Sequence, residues 1–340
     1  MKKPPAKTAR RFRERILPVN LFFCGARPRA LPARFRRARV LIVGCGDVGV
    51  RAARLLLPRV RVLALCRSAA KATALRQMGI TPLAGDLDAP ASLRRLAAWA
   101  GRAGRVLHLA PPAPSSNDGG DARTLALARA LRRRWPAAFV YGSTSGVYGD
   151  AQGGFTPETR PLRPQTARAR RRAAAEAVLR PLGAAVLRIP GIYAADRPGG
   201  SPRARLERRA PVLAAPDDVY TSHIHAEDLA RACALALWRA RPQRVLNISD
   251  ERPMKMGDYF DLAARLYALP APPRIPRAQA EATLSEPQMS FMRESRRLLN
   301  HRMKRELRLR LRYPSAQEGL QSGKPPETPA DAGKLSTDFS

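Results

Sequence analysis

The sequence predicts an α/β fold: a doubly wound parallel sheet with a smaller C-terminal substrate lobe. Three observations carry that expectation. Short apolar runs alternate with helix-length segments from Arg39 to Ile189, the rhythm of a parallel sheet covered on both faces. The first run, Val40 to Val43, leads straight into three glycines, Gly44, Gly46 and Gly49, spaced G-x-G-x-x-G ahead of a helix-like segment. After Pro190 the alternation loosens into loops around Arg197 to Pro202 and Ala215 to Asp218.

The glycine spacing has a mechanical reason and makes the expected sheet Rossmann-type. Gly44 permits the strand-to-helix turn, Gly46 has no side chain to hold a pyrophosphate off the backbone, and Gly49 lets the helix lie close on the strand. The helix N-terminus then offers free N–H groups and a positive dipole end to phosphate, with Cys45, Asp47 and Val48 completing the loop. Strands are expected at Arg61 to Leu65, Ile80 to Ala84, Arg105 to Leu109, Ala138 to Tyr141 and Ala184 to Ile189. Helices are expected at Val50 to Leu57, Ala69 to Met78, Pro90 to Ala100, Ala122 to Arg133 and Thr166 to Arg180. Beyond Pro190 come a helix from Glu227 to Arg239 and a strand from Val245 to Ile248. The chain thus divides into a basic, disordered extension (1–36), a dinucleotide-binding domain (37–190), a substrate-binding lobe interleaved with it (191–320) and a disordered tail (321–340).

Composition narrows the function classes. No apolar run approaches the roughly 20 residues needed to cross a bilayer, so no membrane partner is expected. The patch Ile16 to Cys24 is interrupted by Pro18 and Asn20 and does not read as a signal peptide. Cys24, Cys45, Cys66 and Cys233 are too scattered for a zinc pattern or a disulfide framework, which argues for no metal and a reducing, cytoplasmic setting. The net charge of +35 comes almost wholly from arginine. It attracts polyanions non-specifically, but no zinc finger or aromatic-basic interleaving accompanies it, so no dedicated nucleic-acid binding is expected.

Ligands in such sheets bind at the carboxyl ends of the strands. The second strand ends Leu65-Cys66-Arg67-Ser68, with arginine where an acid would take the ribose of NAD. Arg67 accommodates a 2′-phosphate and Ser68 adds a hydrogen bond, so the expected cofactor is NADP, ahead of NAD. Four histidines are the other proton carriers: His108 at a strand end, His223 and His225 alternating on a strand so that one faces the cleft, and His301. Cys45 reads as a small buried side chain.

The motifs G-C-G-D-V-G, G-D-L (from Gly85), H-L-A (from His108), S-T-S-G-V-Y-G (from Ser143) and R-I-P-G-I-Y (from Arg188) stand in that order. With His223 to Ala230 and Val245 to Ile248, they resemble the extended short-chain dehydrogenase/reductase family, often labelled NAD-dependent epimerase/dehydratase, over Arg39 to Gly319. The glycine motif departs from that family's usual G-x-x-G-x-x-G and is similar to its atypical branch. The resemblance implies that Asp86 and Leu87 flank the adenine, that Leu109, Ala110 and Pro111 line the cofactor path, and that Pro190 to Tyr193, including Ile192, approach the nicotinamide. It also implies catalysis by a Ser or Thr with a Tyr-x-x-x-Lys pair, in which the ammonium lowers the phenol pKa. Thr144 falls at the Ser/Thr position, but Arg168 and Arg172 occupy the tyrosine and lysine positions. Arginine does not donate a proton at neutral pH. Thr144 and Tyr148 are therefore the catalytic candidates. The expected function is an oxidoreductase or epimerase acting on a nucleotide-sugar-like or other polar small molecule. The alternative is a non-catalytic NADP(H)-binding sensor, and a homodimer is left open.

Overall fold

Apolar strands buried on both faces need helices above and below them, and the chain supplies both. The computed structural model describes residues 38–100, 104–113, 120–197 and 199–322. The expectations for residues 1–36, and for all but the start of 321–340, lie outside the described residues. Strands β1 (Arg39–Val43), β2 (Arg61–Cys66), β3 (Thr81–Ala84), β4 (Gly104–His108), β5 (Ala138–Thr144), β6 (Ala185–Ile189) and β7 (Val245–Asn247) form one sheet. Its order is β7-β6-β5-β4-β1-β2-β3 and every pairing is parallel. The direction of winding reverses between β1 and β4, where Val43 pairs with His108. In a sheet of this kind the crevice beyond that point is where a ligand binds.

Helices α1 (Asp47–Leu56), α2 (Ala69–Gln77), α3 (Leu96–Ala100), α4 (Ala122–Leu131) and α5 (Ala167–Leu179) connect the strands. The helix starts are specified locally. Ser68, Asp121 and Thr166 cap α2, α4 and α5 by accepting the backbone N–H of Lys71, Thr124 and Ala169. Two elements differ from expectation. The segment Pro90 to Ala100 splits into a 3-10 turn, Pro90–Leu93, and α3; Ser92 Oγ accepts the Asp86 N–H at 2.8 Å and so ties the first turn to the loop after β3. Strand β5 runs three residues past Tyr141, because Gly142, Ser143 and Thr144 pair with Leu187, Arg188 and Ile189. A Cβ on Gly142 would lie 2.7 Å from the Leu109 side chain, so glycine's poor strand propensity is overridden by close packing.

One buried ion pair joins β5, α5 and β6. Arg188 donates to Glu176 Oε2 at 2.7 Å, and Ser143 Oγ donates to Glu176 Oε1 at 2.6 Å. Their side chains are 3% and 2% exposed, so each charge depends on the other.

Past Pro190 the chain leaves the sheet and returns to it. Helix α6 (Ala226–Arg239) shares an apolar core with α1, and β7 adds to β6 at the sheet edge. A division at residue 190 would cut both from the layer they complete. A separate apolar cluster, built on α7 (Met256–Tyr267) with Tyr193, Leu206, Val212 and Leu320, forms the core of the C-terminal lobe. Among the described residues no helix is long and apolar enough to cross a membrane.

Candidate cofactor and substrate cleft

The three glycines differ in what surrounds them. Gly44 has φ +89°, and a Cβ there would overlap the Ala110 backbone at the end of β4. A Cβ on Gly49 would lie 2.9 Å from Gly44 O, so this glycine sets how close α1 approaches β1. Gly46 is different: no atom lies within 4 Å of where its Cβ would be. It caps α1 in extended conformation and its carbonyl accepts the Val50 N–H at 2.8 Å. Two glycines are required by packing, whereas the third keeps open a space at a helix N-terminus.

That space belongs to a cleft of about 670 Å³ at the carboxyl ends of the strands, within the range of small-molecule sites. Gly44, Gly46, Asp47, Val48 and Gly49 line one end, with Leu109, Pro190 and Ile192 along the path. Thr144 also lines it; its Oγ1 accepts the Gly146 N–H at 3.2 Å, which leaves the hydroxyl proton free to be donated. Cys45 turns away from the cleft into the apolar core, and burial pushes its thiol up to about 11. A helix N-terminus lowers a thiol pKa; here desolvation outweighs it.

The remaining predicted residues do not line this cleft. Arg67 is exposed at the end of β2, 3.9 Å from Asp88. Ser68 already serves as the α2 cap through its oxygen. Asp86 accepts the Asp88 N–H at 3.0 Å. Leu87 and Ala110 are buried in an apolar core cluster. Pro111 is exposed and its carbonyl accepts from Arg123 at 3.3 Å.

Tyr148 requires correction. It is fully buried, donates its hydroxyl to Asn247 Oδ1 at 2.8 Å, and lies under the Arg188 guanidinium at 4.7 Å. It does not line the cleft, and burial raises its pKa above the ordinary phenol value. It is a structural residue of β5's end, and Thr144 stands without it.

The positions of the missing pair are now explicit. Arg172 donates to the carbonyls of Gly142 and Ala110, at 2.8 and 3.3 Å, and to Tyr141 Oη at 3.1 Å. Arg168 lines the cleft over the Phe291 ring at 5.3 Å. Its pKa is lowered, first by desolvation and then by the charges of Arg172 and Arg296, with Glu294 acting in the opposite direction.

The histidines divide as strand alternation requires. His223 lines the cleft, stacked 4.2 Å from Tyr259, and burial pushes it down to about 4. His225 is buried: its Nδ1 accepts the Glu227 N–H at 3.3 Å, and its ring sits 3.9 Å from that of Tyr313. His108 is fully buried, bonded through Nε2 to Thr124 Oγ1 at 2.9 Å, and pushed down to about 3 by burial. His301 opens the helix His301–Glu306 away from the cleft.

Sequence reasoning missed the far end of the cleft. Arg205, Tyr259, Phe260, Glu294 and Arg296 line it, yet they come from separate segments with no shared spacing. Glu294 is buried; its Oε2 accepts from Arg296 at 2.5 Å, while Oε1, sealed from solvent, has no partner among the described residues.

Comparison with known proteins places this architecture. The family model described as "NAD dependent epimerase/dehydratase family" matches residues 40–249. A conserved protein of unknown function from Silicibacter pomeroyi is 30% identical, with a TM-score of 0.71 over 84% of this chain and 98% of that one. UDP-glucose 4-epimerase from Thermotoga maritima, solved with UDP-glucose, shares the fold at 20% identity and a TM-score of 0.67, over 83% of this chain and 96% of that one. So does the dTDP-glucose 4,6-dehydratase of Bacillus anthracis, solved with NAD, at 15% identity and 0.66, over 84% and 95%. A comparison with curated protein sequences gives no match. With its glycine loop, its seven-stranded parallel sheet and a family match over most of that sheet, the chain belongs to the NAD dependent epimerase/dehydratase family.

Proposed function

We propose that the protein binds a nicotinamide dinucleotide along the glycine loop and acts as an oxidoreductase or epimerase on a nucleotide-linked sugar. The observation that carries this reading is the open space at Gly46, where no atom lies within 4 Å of a Cβ position at the N-terminus of α1. A pyrophosphate needs that room and the N–H groups behind it. Arg67, exposed at the end of β2, favours NADP over NAD.

The dinucleotide supplies hydride exchange when bound; the chain supplies the rest. Leu109, Pro190 and Ile192 form the walls of the path, Thr144 donates its hydroxyl proton to a substrate oxygen, and Arg172 fixes the carbonyl ends of β4 and β5. A substrate polarised by Thr144 still needs a proton acceptor, and neutral His223 offers one at the cleft wall. The buried, unpaired Cys45, Cys66 and Cys233 suit a reducing compartment such as the cytoplasm.

A thermal-unfolding screen with NADP, NADPH, NAD, UDP-glucose and UDP tests the reading. A ligand at 100 times its dissociation constant adds about 2.7 kcal/mol, which in a domain of this size raises the midpoint by about 5–10 °C. A dinucleotide is expected to do so, NADP most, and UDP-glucose to add to it. Unchanged midpoints with all five would overturn the proposal.

A further inference from the structure

The seven strands run parallel, so their N-termini share one edge of the sheet, and the helices that run back between them end at that edge. It lies opposite the cleft. Arg39 opens β1, Arg54 and Arg76 stand in the last turns of α1 and α2, and Arg180 and Arg241 lie in the turns before β6 and β7. The 3-10 turn Arg132–Arg134 adds three more before β5. All eight side chains are exposed. Glu306 is the one carboxylate at this edge among the described residues, and Arg244 holds it. Arginine is abundant throughout the chain, so the lack of acids is what sets this edge apart. At the cleft and in the C-terminal lobe, arginines pair with Asp47, Asp88, Asp196, Asp218 and Glu294.

Apolar side chains stand among these charges. Of the five large apolar side chains exposed among the described residues, three are at this edge. Leu55 is in the last turn of α1, Leu182 in the turn after α5 and Trp238 in the last turn of α6. Arg105, near the start of β4, fixes the end of α6: its Nε donates to Leu237 O at 2.9 Å and its guanidinium lies 4.9 Å over the Trp238 ring. Residues 1–37, rich in arginine and lysine, join the fold here, ahead of β1.

Unpaired cations set among leucine and tryptophan match an anionic bilayer, where the charges meet headgroups and the apolar groups sink below them. A nucleic acid would satisfy the charges but not the leucines, and Arg105 already closes one face of Trp238 to a stacking base. We propose that this edge docks on an anionic lipid bilayer, with the cleft turned to the water. The contact is peripheral and asks for no spanning helix, so the lack of a spanning run does not set aside a membrane partner. It is independent of what the cleft binds.

Co-sedimentation of the full chain with vesicles tests it, using phosphatidylcholine alone and phosphatidylcholine with about 30% phosphatidylserine. The wild type is expected to pellet with the second only, and less as added salt screens the charges. Each basic side chain near such a surface is worth about fivefold in partitioning, so Arg132→Gln, Arg133→Gln and Arg134→Gln together should weaken binding about 100-fold. Arg208→Gln, Arg209→Gln and Arg265→Gln, all on the C-terminal lobe, should together leave it within about twofold. Leu182→Gln should cost about three- to tenfold. Failure to bind anionic vesicles, equal losses in the two triple variants, or wild-type binding by Leu182→Gln would each overturn the proposal. An RNA oligonucleotide that binds more tightly than the vesicles and displaces them would assign the edge to nucleic acid instead. If thermal melts show the first triple variant unfolded, Arg180→Gln with Arg241→Gln carries the same test, with a loss of about 25-fold expected.

Discussion

Three substitutions in one loop should separate folding from binding. In Gly44→Ala the new methyl group meets the Ala110 backbone at φ +89°. The left-handed conformation costs about 1–2 kcal/mol, and displacing the end of β4 adds about 1–3 kcal/mol of overpacking. Gly49→Ala places a methyl 2.9 Å from Gly44 O in an otherwise ordinary helical conformation, so only the overpacking of about 1–3 kcal/mol applies. Gly46→Val meets nothing within 4 Å and loses at most about 1 kcal/mol of capping. At roughly 2–4 °C per kcal/mol, Gly44→Ala should lower the unfolding midpoint by about 4–20 °C and Gly46→Val by no more than about 4 °C. Calorimetry with NAD and NADP should give the opposite order: Gly46→Val, folded, binds neither. A Gly46→Val protein with wild-type affinity would refute the assignment of that space to pyrophosphate. One that unfolds as early as Gly44→Ala would refute the claim that packing does not need a glycine there.

Arg67→Asp should weaken NADP by about 1–2 kcal/mol more than NAD, the lower part of the range for a charge-assisted bond, because the side chain is exposed; equal losses by calorimetry would remove Arg67 from the phosphate site. Glu176→Ala strands the Arg188 charge and deprives Ser143 of its acceptor, so denaturant titration should show a loss of about 3–5 kcal/mol, and a loss below about 1 kcal/mol would show the pair to be dispensable. Stability should also fall on acidification. His108 and His223 stay neutral in the fold down to about 3 and about 4, whereas the unfolded chain takes up their protons near pH 6.5, so each loses about 1.4 kcal/mol per unit below that. Asp250, whose carboxyl burial holds well above the usual range, acts in the opposite sense; a urea midpoint that does not drop between pH 7 and 5 would contradict the dominance of the two histidines.

What was legible in the sequence is what is decided locally. The glycine loop and the alternation of strand and helix each depend on residues a few positions apart. The end of β5 was hidden because Gly142 and Ser143 have poor strand propensity; their pairing with β6, more than 40 residues on, decides the matter. Tyr148 was misassigned for a similar reason, since its partner Asn247 lies 99 residues away and only the fold shows the phenol to be sealed.

The substrate end of the cleft is non-local throughout, with Arg205, Tyr259 and Glu294 arriving from separate segments. Arg168 joins the two kinds of information. From the sequence it is a missing tyrosine, and read so it implies lost chemistry. In the cleft, the same position carries a guanidinium over the Phe291 ring, while Glu294, lining the same cleft, is held through one oxygen by Arg296. Arg172, at the lysine position, holds the Ala110 and Gly142 carbonyls that frame the cleft, so the departure from the family pattern leaves a structural role at one of the two positions.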